Sequence, residues 1–325
     1  MLVDKFGRQI TYARIGITDR CNLRCFYCMP AEGIDYITKK ELLSYEELHR
    51  LISLLAQHGV NKIRITGGEP FVRKELIGFI KTLKTIDQLH QINITTNGVL
   101  LAPHLDELKG LGINSINLSI DSLNKERFKQ ITRRDVFDQV WSSFHKILKM
   151  DIPLKLNVVV MKGQNEEDII PMAELTKTYP ISVRFIEEMP FNGTGSEHDH
   201  ISFKSILQRL REHFGEVQKI EDPPNSTSYH YKLANSIGNI GLIAAHSRTF
   251  CGTCNRIRVT AQGQLQNCLY DGGGLDLKGL LRSGKDDIEV IDAIKEAILT
   301  KNKDGFEAEK NRNQTVFESM STIGG

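Results

Sequence analysis

Six cysteines carry the chemistry of this chain, and they fall into two triplets. The first, Cys21-Asn22-Leu23-Arg24-Cys25-Phe26-Tyr27-Cys28, has the spacing Cys-x3-Cys-x2-Cys. The second is Cys251-Gly252-Thr253-Cys254 with Cys268. A cubane of four irons and four sulfides takes one outer ligand per iron, usually a cysteine thiolate. Three thiolates therefore leave one iron open to a chelating ligand, whereas four would close the cluster as an electron carrier. A structural zinc site prefers four protein ligands. His49 and His58 lie too far downstream to complete one at the first triplet, although His246 could complete one at the second. A disulfide in either triplet would leave an odd thiol.

A second set of residues is cationic. Arg256-Ile257-Arg258 places two guanidinium groups on one face of a strand, and planar guanidinium forks suit phosphate oxygens. Arg14, Arg64, Lys155 and Arg184 occupy matching positions in other strand-like runs. Cations gathered in a low-dielectric chamber need anions to neutralise them, so a polyphosphate substrate is expected. No G-x-x-x-x-G-K-[ST] loop is present, which disfavours a P-loop nucleotidase. Lys62, Lys39 and Lys40 read as surface charges paired with nearby acids. Thr66-Gly67-Gly68-Glu69-Pro70 ends the second strand, where glycines let a backbone approach a ligand closely.

These groups need a scaffold. Strand-like runs at Tyr12–Ile17, Lys62–Thr66, Gln91–Thr96, Ser115–Ile120, Leu154–Val160 and Ser182–Glu187 alternate with helical stretches, which predicts a parallel α/β architecture. Ser44-Tyr45-Glu46-Glu47 reads as a capping box opening a helix that Gly59 ends. Within the strands, side chains alternate between apolar and polar. Ile63 and Ile65 face one way, for example, and Arg64 and Thr66 the other. A polar inner face would be ruinous as a core but suits the wall of a ligand chamber. The same alternation also suits an antiparallel sheet wet on one side. The expected fold is an α/β, incomplete TIM-like barrel of about six units over residues 1–222. A C-terminal α+β extension over 223–325, with a hairpin about Ala261-Gln262-Gly263, carries the second cluster.

Composition sets the outer bounds. The chain has 325 residues, 40% hydrophobic and 25% charged, with a net charge of +2. It reads as an ordinary globular protein, with no membrane span and no bulk charge indicating nucleic acid. Met1-Leu2-Val3-Asp4-Lys5 lacks an apolar signal core. Cysteines in triplets without a secretory signal argue for metal in a reducing, cytoplasmic compartment.

Cys21-x3-Cys25-x2-Cys28 with Tyr27 before the last cysteine resembles the signature of the radical S-adenosylmethionine (SAM) superfamily. The resemblance implies a [4Fe-4S] cluster on Cys21, Cys25 and Cys28 whose open iron chelates SAM, giving a 5′-deoxyadenosyl radical. Tyr27 would then pack along the adenine, Gly68 would receive the SAM ammonium, Ser119 would bind the ribose or carboxylate, and Met189 would line the pocket. Taken with Thr95-Thr96-Asn97-Gly98, Arg184-Phe185-Ile186-Glu187, Cys251-x2-Cys254-Asn255-Arg256-x-Arg258 and the Gly-Gly end, the chain resembles the GTP 3′,8-cyclase family of molybdenum cofactor biosynthesis. That implies a second [4Fe-4S] cluster on Cys251, Cys254 and Cys268, holding guanine at its free iron. Arg14, Arg64, Thr95, Lys155, Arg256 and Arg258 would grip GTP, and Gly324 and Gly325 would assist from the C-terminus. Hydrogen abstraction from C3′, attack of the C3′ radical on C8, then reduction and protonation would yield 3′,8-cyclo-7,8-dihydro-GTP. The family further implies an electron donor and a downstream cyclic pyranopterin monophosphate synthase, and permits a homodimer. A peptide-modifying radical SAM enzyme and a zinc-stabilised, non-catalytic nucleotide-binding module are the competing readings.

Overall fold

The computed structural model describes residues 1–189, 200–312 and 319–322. Six parallel strands form its frame: β1 (Tyr12–Gly16), β2 (Lys62–Thr66), β3 (Gln91–Thr96), β4 (Ser115–Ser119), β5 (Leu154–Val160) and β6 (Ser182–Glu187). Each pairs with the next in sequence. The parallel pairing removes the antiparallel alternative left open by the sequence. Helices cover the outer face. Tyr45–Gln57 starts at the expected capping box, with Ser44 Oγ accepting from Glu47 N and Glu47 Oε2 accepting from Ser44 N. Phe137–Lys149 buries Val140, Phe144 and Ile147 against the sheet.

Strands continue beyond β6. β7 (Val217–Lys219), β8 (Ser228–Leu233), β9 (Asn239–Ile243), β10 (Arg256–Val259), β11 (Gln264–Gln266) and β12 (Leu275–Asp276) join the same sheet. Its order is β12-β11-β10-β1-β2-β3-β4-β5-β6-β9-β8-β7. β9 adds parallel to β6, and β10 adds parallel to β1, so strands late in the chain flank the six-strand frame on both sides. β10 and β11 make the expected antiparallel hairpin.

The apolar half of the alternation builds the core. Ile15, Ile63, Ile65, Ile94, Ile116, Leu118 and Leu156 are fully buried under the helices. At about 25 cal/mol per Å² of apolar surface removed from water, this layer is the main source of stability. The polar half faces the other way, into the concave side of the sheet.

Candidate active site

Register fixes where each polar side chain stands. Arg258, Arg14, Arg64 and Asn93 are successive partners across β10, β1, β2 and β3. One step towards the strand starts lies the row Arg256, Tyr12, Lys62 and Gln91. On the far strands Asn117 pairs with Lys155, and Asn157 with Arg184. Apart from Gln91 and Asn93, these residues line one cavity of about 750 Å³, within the size range of small-molecule sites. Asn93 does not reach it. Its side chain is buried, donating to Ile63 O and accepting from Ser115 Oγ.

All six cysteines line that same cavity, and topology sets the triplets at opposite ends. Cys21, Cys25 and Cys28 follow the C-terminal end of β1, where active sites of such barrels gather. Cys251 and Cys254 precede the start of β10, which runs parallel to β1. Cys268 follows β11, which returns antiparallel to that same end. Among the described residues no three Cys, His, Asp or Glu side chains converge on a single-ion site. His246, the candidate fourth zinc ligand, stacks on His200 at 3.8 Å.

The first triplet is held by two crossing loops. Gly68 N donates to Thr18 O at 2.7 Å and Glu69 N to Arg20 O at 2.8 Å. The approach is so close that a Cβ on Gly68 would overlap the Arg20 and Asp19 carbonyls. Gly67, at φ +145°, turns the chain against Thr18. Glu69 points inward and accepts from Phe71 N, Thr96 Oγ1 and Asn97 N, tying this turn to the end of β3. Burial nevertheless pushes its carboxyl up to about 7. Leu23 N lies 3.4 Å and Asn97 Nδ2 3.7 Å from Cys21 Sγ, two N–H donors aimed at sulfur. Tyr27 Oη donates to Asp121 Oδ2 at 2.9 Å, and Asp121 Oδ1 accepts from Val159 N.

Electrostatically the wall is crowded with cations. Burial and then Arg258 push Arg14 down to about 9. Burial and then Arg184 bring Lys155 down to about 7, and burial and then Arg64 bring Arg184 to about 10. Tyr12 moves the other way for an acid. Burial would raise it, but Arg64, Arg14 and Arg256 outweigh burial and bring it to about 7. At the cysteines burial dominates, lifting Cys21 to about 12 and Cys28 and Cys268 to about 11. Cys254 is the exception. Burial raises it, but Lys301 and Arg256 outweigh burial and leave it low.

Among the described residues, buried polar atoms on the wall without a hydrogen-bond partner include Thr95 Oγ1, Asn117 Oδ1, Asn157 Oδ1, Arg184 Nε and Arg258 Nη1. Each such group costs about 1–3 kcal/mol if left unmet, so the wall is built for a polar, anionic ligand. The residues also fit metal clusters, since each triplet offers three thiols to the same cavity.

Most sequence-selected residues reach this chamber: Tyr27, Gly68, Ser119, Met189 and Thr95, as well as the cations. Met189, like Cys268, Leu269 and Met320, packs against the small apolar cluster of Tyr270 and Ala308. Gly324 and Gly325 lie outside the described residues. Lys62 corrects the sequence reading. It lines the chamber, makes no ion pair among the described residues, and sits 5.1 Å from the Tyr12 ring centroid. Its position two residues before Arg64, on the same strand face, was the available signal. Asp121, Met320 and Ser321 were missed as well. Ser319 Oγ and Met320 N both donate to Cys28 O, fastening the C-terminal segment to the first triplet. Nothing in the local sequence announces that contact across 291 positions.

The profile of the Radical SAM superfamily matches residues 15–176, and that of Molybdenum Cofactor Synthesis C matches 181–307. Streptococcus suis SuiB bound to S-adenosylmethionine superposes with a TM-score of 0.66 over 97% of this chain and 77% of that one. At 13% identity this likeness shows the fold alone, an α/β partial barrel. A GTP 3′,8-cyclase of Desulforamulus reducens is 42% identical over 100% of both chains. One of Heliobacterium modesticaldum is 41% identical over 88% of this chain and 89% of its own. The molybdenum cofactor biosynthesis protein moc-5 of Caenorhabditis elegans is 41% identical over 92% of this chain, which spans 50% of that protein. The chain belongs to the GTP 3′,8-cyclase family.

Proposed function

We propose that the protein converts GTP to 3′,8-cyclo-7,8-dihydro-GTP, joining ribose C3′ to guanine C8, at the start of molybdenum cofactor biosynthesis. The reading rests on one observation: two thiol triplets open onto opposite ends of a single chamber whose wall between them is cationic. Cys21, Cys25 and Cys28 hold a [4Fe-4S] cluster. Tyr27, Gly68, Ser119 and Met189 hold SAM beside it. When bound, cluster and SAM together supply the one-electron chemistry needed to activate an unreactive C–H bond.

Cys251, Cys254 and Cys268 hold a second [4Fe-4S] cluster, placing the guanine at the far end. Arg14, Arg64, Lys155, Arg256 and Arg258 neutralise the triphosphate, Thr95 adds a hydroxyl contact, and Lys62 and Arg184 join them. Fixing both ends of GTP presents its ribose to the first site in a defined orientation, which is the main lever a protein has over a reactive radical. The enclosing wall keeps solvent from quenching it. A reductant must deliver electrons, and a cyclic pyranopterin monophosphate synthase would consume the product.

The test is anaerobic isolation, iron and sulfide counting, and incubation with SAM, a reductant and GTP. Two clusters per chain, with deoxyadenosine formed only when GTP is present, are expected. Deoxyadenosine formed equally without GTP would remove the substrate assignment. Zinc or bare thiols at the second triplet would remove the second cluster.

A further inference from the structure

Tyr12 stands where the sequence offers no reason for an acid. Its ring lines the chamber, and the residue is only 8% exposed. Its hydroxyl accepts from Arg64 Nε at 2.8 Å. Lys62 Nζ lies 5.1 Å and the Arg256 guanidinium 5.5 Å from the ring centroid. Arg14 is on its own strand, two residues on. Arg258 faces it from β10, Lys155 from β5 and Arg184 from β6, each within electrostatic reach. His230 also lines the chamber, bound to Asp222.

Carboxylates in the chamber wall are committed elsewhere. Glu69 is held by Asn97, Thr96 and Phe71, Asp121 by Tyr27 and Val159, and Glu187 by Phe203 and Ser247. Glu188 and Glu221 make no hydrogen bond or ion pair to the cations among the described residues. Among the described residues, the phenol is an acid hydrogen-bonded directly to the cation cluster, through Arg64.

We propose that Tyr12 serves as a built-in counter-ion of this cluster before nucleotide enters, and takes up a solvent proton when the triphosphate replaces it. The inference rests on the GTP reading above. As phenolate, Tyr12 offsets the mutual repulsion of buried guanidinium groups. Once a triphosphate supplies that charge, a phenolate beside it would repel it, and protonation leaves a neutral hydroxyl still accepting from Arg64. The cluster's pull on Tyr12, to about 7, agrees with this exchange. The consequence is a nucleotide affinity that weakens as pH rises above about 7, by up to roughly tenfold per pH unit from this one proton.

Isothermal titration of the anaerobic, cluster-loaded enzyme with GTP at pH about 8, in two buffers of different ionisation enthalpy, counts protons taken up. Wild type should take up close to one proton more than Tyr12→Phe, and the near-ultraviolet tyrosinate band should fall on binding. Lys155 also titrates near this pH and feels Tyr12, so a parallel pair of proteins carrying Lys155→Met separates its proton from that of Tyr12. Equal proton uptake by the two proteins, or an unchanged tyrosinate band in wild type, overturns the proposal while leaving GTP binding intact. If Tyr12→Phe does not fold, the wild-type band alone decides. Failure of wild type to bind GTP overturns the nucleotide reading instead.

Discussion

Arg14 and Arg258 stand directly opposite each other on adjacent parallel strands, two half-buried guanidinium-bearing residues in one register row. Side chains at such positions are close neighbours, and like charges there are destabilising. A fold that carries this arrangement has given up stability for an anion site. The atom Arg258 Nη1 in particular is buried with no hydrogen-bond partner among the described residues.

Replacing Arg258 with Met should therefore hurt binding more than folding. Loss of a charge-assisted hydrogen bond costs about 1.5–3 kcal/mol, or roughly ten- to a hundredfold in GTP affinity. The melting temperature should hold or rise, because Arg14 loses a like-charged neighbour. Nucleotide titration and a melting curve check this. Loss of iron from the first triplet in this variant would instead mean that Arg258 supports the fold.

Gly68→Ala is expected to fail structurally. Its Cβ meets backbone carbonyls of Arg20 and Asp19, which cannot swing aside as a flexible side chain would. The loop carrying Cys21 must shift. Iron content at the first site should fall sharply while the second triplet keeps its iron, a split that site-resolved Mössbauer or paramagnetic resonance spectra can read.

Glu69→Ala strips the acceptor from three buried donors: Phe71 N, Thr96 Oγ1 and Asn97 N. With about 1–3 kcal/mol for each donor left unmet, a loss of at least about 3 kcal/mol is expected by denaturant unfolding. Little change would show that the loops rearrange around the gap.

Stability of the nucleotide-free, cluster-loaded protein should rise between pH 7 and about 8.5. Tyr12 is an acid whose folded pKa, about 7, lies below its ordinary value of 10.0, so its stabilisation is absent below 7 and grows above it. Lys155, a base depressed from 10.5 to about 7, destabilises the fold when charged, and that penalty fades over the same window. Both signs agree. Thiolates bound to metal no longer titrate and drop out. Saturating GTP should flatten the slope, and a flat melting profile without nucleotide would contradict the electrostatic picture.

The sequence made the frame legible because each early strand carries its own period-two signal and is bounded by a turn or a capped helix. Lys62–Thr66, Gln91–Thr96, Leu154–Val160 and Ser182–Glu187 match residue for residue. The helix Asp287–Leu299 went unread, although Asp286 and Glu289 form a capping box there. The pairing of β10 with β1 was invisible for a physical reason. A parallel partnership across some 240 residues leaves no local trace, since it is settled by the packing of everything between. Lys62 was misread for a related reason. A lysine at a strand start is usually wet, and only its partner Tyr12 reveals that this start borders the chamber.

The place of β1 between β2 and β10 has a consequence for how the molecule is made. On the ribosome the N-terminal strand emerges early, yet one of its edges waits until residues near the end of the chain have been synthesised. Until then it is an open edge, the kind that recruits neighbouring polypeptides. A nascent or prematurely terminated chain lacking β10 would display that edge beside the Cys21 loop, so clumping should compete with iron loading in shortened products, and a strand made late guards the solubility of one made early.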